Sequence, residues 1–203
     1  MKKCMHQFVE TIRIEGGKPI NLPLHQARMD ATRAHFAPLV APLDLQKWLE
    51  ASPLSNERIK ARVVYDVNGV RETSFEPYRK RDIQSLQLVE DNHIDYHFKS
   101  TNRQQLNHLL TLRKDCDEVL IVKGGLITDT SFTNVAFYDG QQWLTPAQPL
   151  LNGTMRQWLL QHNKIKEAHI SPASISSFQR IMLFNAMIDA HELELPIANI
   201  SSF

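Results

Sequence analysis

Residues His97–Leu110 read HFKSTNRQQLNHLL, and the texture of the chain changes there. Before this stretch the sequence is built of alternating strands and turns. After it comes helical spacing, with Leu106, Leu109, Leu110 and Arg113 as a periodic apolar set over Thr101–Lys114. Lys99 stands at the start of that helical pattern, where the partial positive charge of a helix N-terminus disfavours a cation. Two readings of Lys99 follow. It is an ordinary surface charge, or an amine kept for chemistry, which would need burial or a second cation to hold it partly neutral. Phe98 and the apolar helix pattern make such burial possible.

Upstream, Phe8–Glu15 (FVETIRIE) alternates as a half-buried strand, and Gly16–Lys18 is a hairpin turn into a short return strand, PINL. Leu24–Phe36 has helical spacing and stops before Pro38; a second helix fits Leu43–Ala51. The segment ARVVYDVNGVRETSFEPY reads as two strands joined by a turn at Asn68–Gly69, and SLQLVE as a further strand. Downstream, Glu118–Val122 is a buried strand, LITDTSFTNVAFYDG ends in another, and QWLTP follows. Thr154–Asn163 reads as a helix introduced by Asn152–Gly153, Ser171–Pro172 as a helix start, and RIMLFNAM as a strand entering a loop. Mixed strands and helices without regular βαβ alternation predict an α+β protein. The expected division is a small N-terminal α+β domain over 1–90 and a larger C-terminal domain over 91–203 that carries Lys99.

Composition excludes several function classes. The 203 residues carry 23 Lys+Arg and 22 Asp+Glu, a net charge of +1, so no basic excess points to nucleic acid or an anionic membrane. The hydrophobic fraction of 42% and mean hydropathy of −0.33 are those of a globular chain, with no apolar run of about 18 residues. MKKCMHQFVE has no apolar run after its lysines, so no signal peptide is expected, and Cys4 and Cys116 form no framework; cytoplasm is the expected compartment. The nine histidines contain no HExxH or comparable ligand spacing. His93 and His97, read as strand residues, would lie about 13 Å apart at about 3.3 Å per residue. No metal site is expected. Neither GxxxxGK[ST] nor GxGxxG occurs, but LLNGTMRQWL places Asn-Gly before a helix, where backbone N–H groups can bind an anion.

Five segments, in order, carry a resemblance. FKSTNR resembles the lysine segment K-x-x-N-R of aminodeoxychorismate lyase. DEVLIVKGGLITDTSFTNVAFYDGQQWLTP resembles the segment after it, with an acid five residues before an asparagine. LLNGTMRQWLL resembles the phosphate-binding turn and helix, LFNAMIDA the later strand-to-loop segment, and FVETIRIEGGKPINLPLHQARMDAT the N-terminal F-E-T-[IL]-R followed by H-x-x-R. The chain thus resembles the pyridoxal-phosphate fold type IV (class IV aminotransferase) family, which includes aminodeoxychorismate lyase, branched-chain aminotransferase and D-amino-acid aminotransferase, and within it the lyases most. The resemblance implies a two-domain fold type IV architecture, pyridoxal 5′-phosphate as cofactor, a small-molecule amino substrate and a homodimer. Carried over, Lys99 would be the Schiff-base lysine and proton shuttle, and Arg28 would grip the cofactor phosphate. Asp129 would pair with the pyridine nitrogen, and Asn134 would be a further cofactor-binding residue. Gly153, Thr154 and Met155 would form the phosphate turn, and Asn185 and Ala186 the third phosphate segment. Two departures stand out. Asp129 replaces the usual glutamate, one methylene shorter, and Ala186 lacks the hydroxyl that aminotransferases often present there, which favours a lyase. The chain is also shorter than is usual in the family. The implied reaction is conversion of 4-amino-4-deoxychorismate to 4-aminobenzoate and pyruvate, in folate biosynthesis. A transaminase of branched-chain or D-amino acids is the alternative, and a non-catalytic or repurposed relative a further one.

Overall fold

The computed structural model describes residues 6–203; Cys4 and the rest of the N-terminal MKKCM lie outside the described residues. The chain divides into two compact units. The first comprises residues up to Arg79 together with Phe98–Asn102; the second comprises Lys80–His97 and Arg103–Phe203. The expected boundary near residue 90 therefore differs from this division, and Lys99 falls in the first unit.

In the first unit an antiparallel sheet of order β2-β1-β3-β4 is formed by β1 (Phe8–Glu15), β2 (Lys18–Pro19), β3 (Ile59–Asp66) and β4 (Gly69–Pro77). The alternation of β1 puts Phe8, Ile12 and Ile14 into the core with Ala61, Val63 and Tyr65 of β3. Phe8, Ile12, Ile14 and Val63 each contribute about 1.5–3 kcal/mol by leaving water. The β3–β4 turn sits one residue earlier than Asn68–Gly69. Asp66 faces Gly69 across the ladder, Asp66 Oδ1 accepts from Asn68 N at 2.8 Å, and Gly69 opens β4 at φ 150°. The carboxylate closes the turn locally and leaves glycine to take the backbone angle that other residues avoid. Helix α1 (Leu22–Phe36) has proline in its first turn and ends at Ala37, before Pro38. His25, Met29, Thr32 and Arg33 form its buried stripe, at spacings of four, seven and eight. The expected helix over 43–51 is a single 3-10 stretch, Leu45–Leu49.

In the second unit, β5 (Leu86–Glu90), β6 (Glu118–Lys123), β7 (Leu126–Thr130) and the terminal β13 (Ile200–Ser201) form one sheet of order β13-β5-β6-β7. The other sheet has order β10-β9-β8-β11-β12, from β8 (Asn134–Tyr138), β9 (Trp143–Pro146), β10 (Lys166–Ala168), β11 (Arg180–Phe184) and β12 (Glu194–Pro196). Helix α2 (Gln104–Thr111) packs Leu106 and Leu109 against Val119 and Ile121 of β6. Helix α3 (Thr154–Gln161) packs Met155 and Leu159 with Ala136, Met182 and Phe184. The Ser171–Pro172 signal opens a 3-10 stretch, Pro172–Ser177. No helix among the described residues is long and apolar enough to cross a membrane.

Candidate active site

Lys99 is not at a helix entrance. Helix α2 begins at Gln104, and residues 98–102 lie alongside the start of β1. Val9 N donates to Lys99 O at 2.9 Å, Phe8 bridges Ser100, and Thr101 N donates to Gln7 O at 2.9 Å. The helix dipole therefore does not bear on the lysine as its place in the sequence suggests. A strand partner ninety positions away fixes it instead. Phe98 anchors the segment, packing on Phe8, His35 and Phe36 with ring centroids 4.7–6.1 Å apart. The side chain of Lys99 is half-buried.

The same unit holds a shielded trio, Glu10, His25 and Arg28, of which the sequence pointed only to Arg28. Glu10, in phase with Phe8, Ile12 and Ile14 on β1, is fully buried. Arg28 donates to it through Nε (2.9 Å) and Nη2 (2.5 Å), and His25 Nδ1 lies 2.6 Å from Oε2. Burial would raise the Glu10 carboxyl. The Arg28 guanidinium and the bonds from His25 and Arg28 outweigh it and hold the group at about 2. His25 is pushed down by burial, against its bond to Glu10; the charges of Arg28 and Lys99 add to the push. A signal existed: an acid at a core-phase position of a strand must find buried partners, and His25 and Arg28 lie three apart on one helix face.

In the second unit Asp129, on β7, is 4% exposed. Its Oδ1 accepts from Asn134 Nδ2 at 2.8 Å and its Oδ2 from Leu151 N at 2.9 Å. Burial raises the carboxyl to about 6, against the pull of those bonds and of Arg156. The Asn134 amide also donates to Leu151 O at 2.8 Å, so it clamps β7 to the loop before α3. Gly153 ends that loop as the residue capping α3, and a Cβ there would lie 2.1 Å from Asn134 Oδ1. Thr154, Met155 and Arg156 open α3 as buried residues. Arg156 is held by Asn152 Oδ1 (3.1 Å), Pro146 O (2.9 Å) and Glu167 (2.6 Å). Asn185 follows β11; its Oδ1 accepts from Met187 N and Ile188 N, and its Nδ2 donates to Phe132 O. This bonding makes Asn185 the clasp of a tight turn in which Ala186 is the next residue.

Asp129, Asn134, Leu151 and Gly153 are thus brought into direct contact, and Lys99 is placed in the first unit with Glu10, His25 and Arg28. The stretch around His93 and His97 is a loop rather than a strand, with His97 Nδ1 on Asp95 at 2.6 Å. Among the described residues no group of three or more His, Cys, Asp or Glu could hold a metal ion.

The Asp129 pocket fits a pyridine nitrogen. Both carboxylate oxygens accept from neutral N–H groups, and a carboxylate has about four acceptor positions. A cationic ring N–H would supply the compensation that burial withholds. The start of α3, where helix geometry gives the first amides no intrahelical acceptor, fits a phosphate.

Comparison with known proteins identifies the family. The model of the amino-transferase class IV family matches residues 7–193. An uncharacterized protein of Haemophilus influenzae is 36% identical over 186 residues, covering 90% of this chain and 98% of its own. A crystal structure from Haemophilus somnus, provisionally assigned as a 4-amino-4-deoxychorismate lyase, has a TM-score of 0.84 at 32% identity, covering 93% of this chain and 100% of that one. The fold is shared with a pyridoxal-phosphate-bound hypothetical aminotransferase of Mycobacterium tuberculosis, with a TM-score of 0.75 at 18% identity, covering 91% of this chain and 78% of that one. The mixed sheets and few helices are those of fold type IV, and the chain belongs to the class IV aminotransferase family, whose members are pyridoxal-phosphate-dependent lyases and transaminases.

Proposed function

We propose that this protein is a pyridoxal-phosphate-dependent lyase that converts 4-amino-4-deoxychorismate to 4-aminobenzoate and pyruvate, a step of folate biosynthesis. The observation that carries the cofactor is the buried Asp129 carboxylate, clamped by Asn134 and Leu151 and still able to accept a ring N–H. Similarity to the Haemophilus somnus structure supports lyase over transaminase, as does alanine rather than a hydroxyl residue at Ala186.

Bound pyridoxal phosphate supplies an electron sink for the pair left when a substrate Cα–H bond breaks. Lys99 Nζ would hold the cofactor covalently and, once freed by the substrate amine, would take the Cα proton. Asp129 would keep a proton on the ring nitrogen. The Leu151 and Asn134 clamp fixes where the Asp129 carboxylate stands, one methylene nearer its backbone than a glutamate's would be. Arg28 and the amides of Thr154 and Met155 would bind the phosphate, flanked by Asn185 and Ala186. The reading includes a homodimer working in the cytoplasm.

The test is product identity. Purified protein loaded with pyridoxal phosphate should release pyruvate and 4-aminobenzoate from 4-amino-4-deoxychorismate with no keto acid present. Amino transfer from a branched-chain or D-amino acid to a keto acid, without pyruvate release from the chorismate derivative, would replace this reading with the transaminase one.

A further inference from the structure

The trio of Glu10, His25 and Arg28 does more than fill space. A guanidinium is planar, so two bonds along its Nε–Nη2 edge fix both the plane and the direction of the group. Glu10 makes those two bonds, at 2.9 and 2.5 Å, on that edge of Arg28. A carboxylate only accepts, so the proton between Glu10 Oε2 and His25 belongs to Nδ1 of the imidazole. His25 therefore fixes Glu10 as Glu10 fixes Arg28. All three side chains are shielded: Glu10 is 0% exposed, His25 1% and Arg28 12%. Removing ions from water is expensive, and a well-packed apolar cluster of the same volume is often at least as stable as a buried ion pair. Stability alone is thus a poor reason for this trio, whereas orientation of a charged fork is a good one. Lys99 lies close enough for its charge to act on His25, so the trio belongs to the surroundings of the reactive amine.

We propose that Glu10 and His25 are positioning residues that hold the Arg28 guanidinium in the one orientation that receives the cofactor phosphate. This rests on the cofactor reading above. It adds that phosphate affinity is set by a residue that does not touch the phosphate. Glu10 also cancels one positive charge, so that the first unit offers Arg28 as a directed donor rather than as a diffuse cation.

The experiment compares pyridoxal phosphate with pyridoxal, which lacks the phosphate, as ligands of the cofactor-free full chain. Dissociation constants are measured by absorbance for wild type, Glu10→Gln, His25→Leu and Arg28→Lys. Partners that orient a ligating group typically change affinity about 10- to 100-fold when removed. Glu10→Gln should lose about that much for pyridoxal phosphate while pyridoxal binding is essentially unchanged. His25→Leu should show a smaller loss with the same selectivity, and it supplies the test should the Glu10 variant not fold. Inorganic phosphate should compete with pyridoxal phosphate in wild type and much less in Glu10→Gln. Equal loss for both ligands, or no loss for either, overturns the positioning role. Wild type binding pyridoxal and its phosphate equally would overturn the phosphate reading of Arg28 itself, and failure to bind either would overturn the cofactor reading.

Discussion

Replacing Gly153 with alanine tests the contact that organises the Asp129 pocket. The backbone there, φ −65° and ψ 149°, is one that alanine adopts without strain, so any cost comes from the added methyl. That methyl would lie 2.1 Å from Asn134 Oδ1 and 3.3 Å from its Cγ. Non-bonded C···O contacts settle at about 3.3–3.6 Å, so the Asn134 amide must move by roughly an ångström. Moving it breaks two bonds of 2.8 Å, one to Asp129 Oδ1 and one to Leu151 O. A bond to a charged group contributes about 1.5–3 kcal/mol and a neutral one about 0.5–1.5, together about 2–4 kcal/mol. Two smaller effects oppose each other: alanine is a poorer helix cap than glycine, and it lowers unfolded-chain entropy by about 0.4–1 kcal/mol. In a chain of this size the sum corresponds to a fall in Tm on the order of 10 °C. Thermal or urea unfolding of Gly153→Ala, Asn134→Ala and the double variant measures it. The alanine at 153 should be costly in wild type and nearly neutral once Asn134 is gone, because the two changes share one contact. A neutral Gly153→Ala, or an equal cost in both backgrounds, refutes the reasoning.

Two further outcomes follow from the same pocket and its neighbour. Asp129 has a folded-state pKa of about 6 against 3.8 unperturbed, so the native state holds its proton more tightly. That contribution to stability is full below about pH 3.8 and is lost as pH rises through 6, about 3 kcal/mol at 1.36 kcal/mol per unit. Asp129→Asn in the cofactor-free protein should flatten this window in urea unfolding, and an unchanged pH profile would contradict it. Asn185→Ala removes the side-chain acceptor of Met187 N, at a cost of about 1–3 kcal/mol, while Ile188 N keeps the Asn185 carbonyl at 3.2 Å. Hydrogen exchange at the Met187 amide should speed up while β11 stays protected, and unchanged exchange at Met187 would contradict the clasp.

Strand alternation, the long β3–β4 hairpin and helix α3 were legible in the sequence because they rest on local patterns, whereas the return strand expected at PINL is only Lys18–Pro19. The turn at Asp66–Gly69 was displaced by one residue because the Asp66 side chain, not the Asn-Gly pair, closes it. Lys99 was misplaced for a different reason. Its helical neighbour is five residues on, and the β1 pairing that holds it joins positions far apart in the chain, which no local window reports. Glu10 carried a readable sign, an acid in the core phase of β1, yet its partners lie on another element. Asp129, Asn134 and Gly153 stand out through the family pattern, but their mutual contact is a property of the fold. It explains Asn134 as the clamp of Asp129 and Gly153 as the residue with room for that clamp.

The central claim is that Lys99 carries pyridoxal phosphate, and peptide mapping tests it most directly. Protein mixed with pyridoxal phosphate should show an absorbance band near the visible edge that sodium borohydride abolishes. Digestion should then yield a single pyridoxyl-modified peptide, with the adduct on Lys99, and the Lys99→Ala variant should yield none. An adduct on another lysine, or none on wild type, would contradict the account.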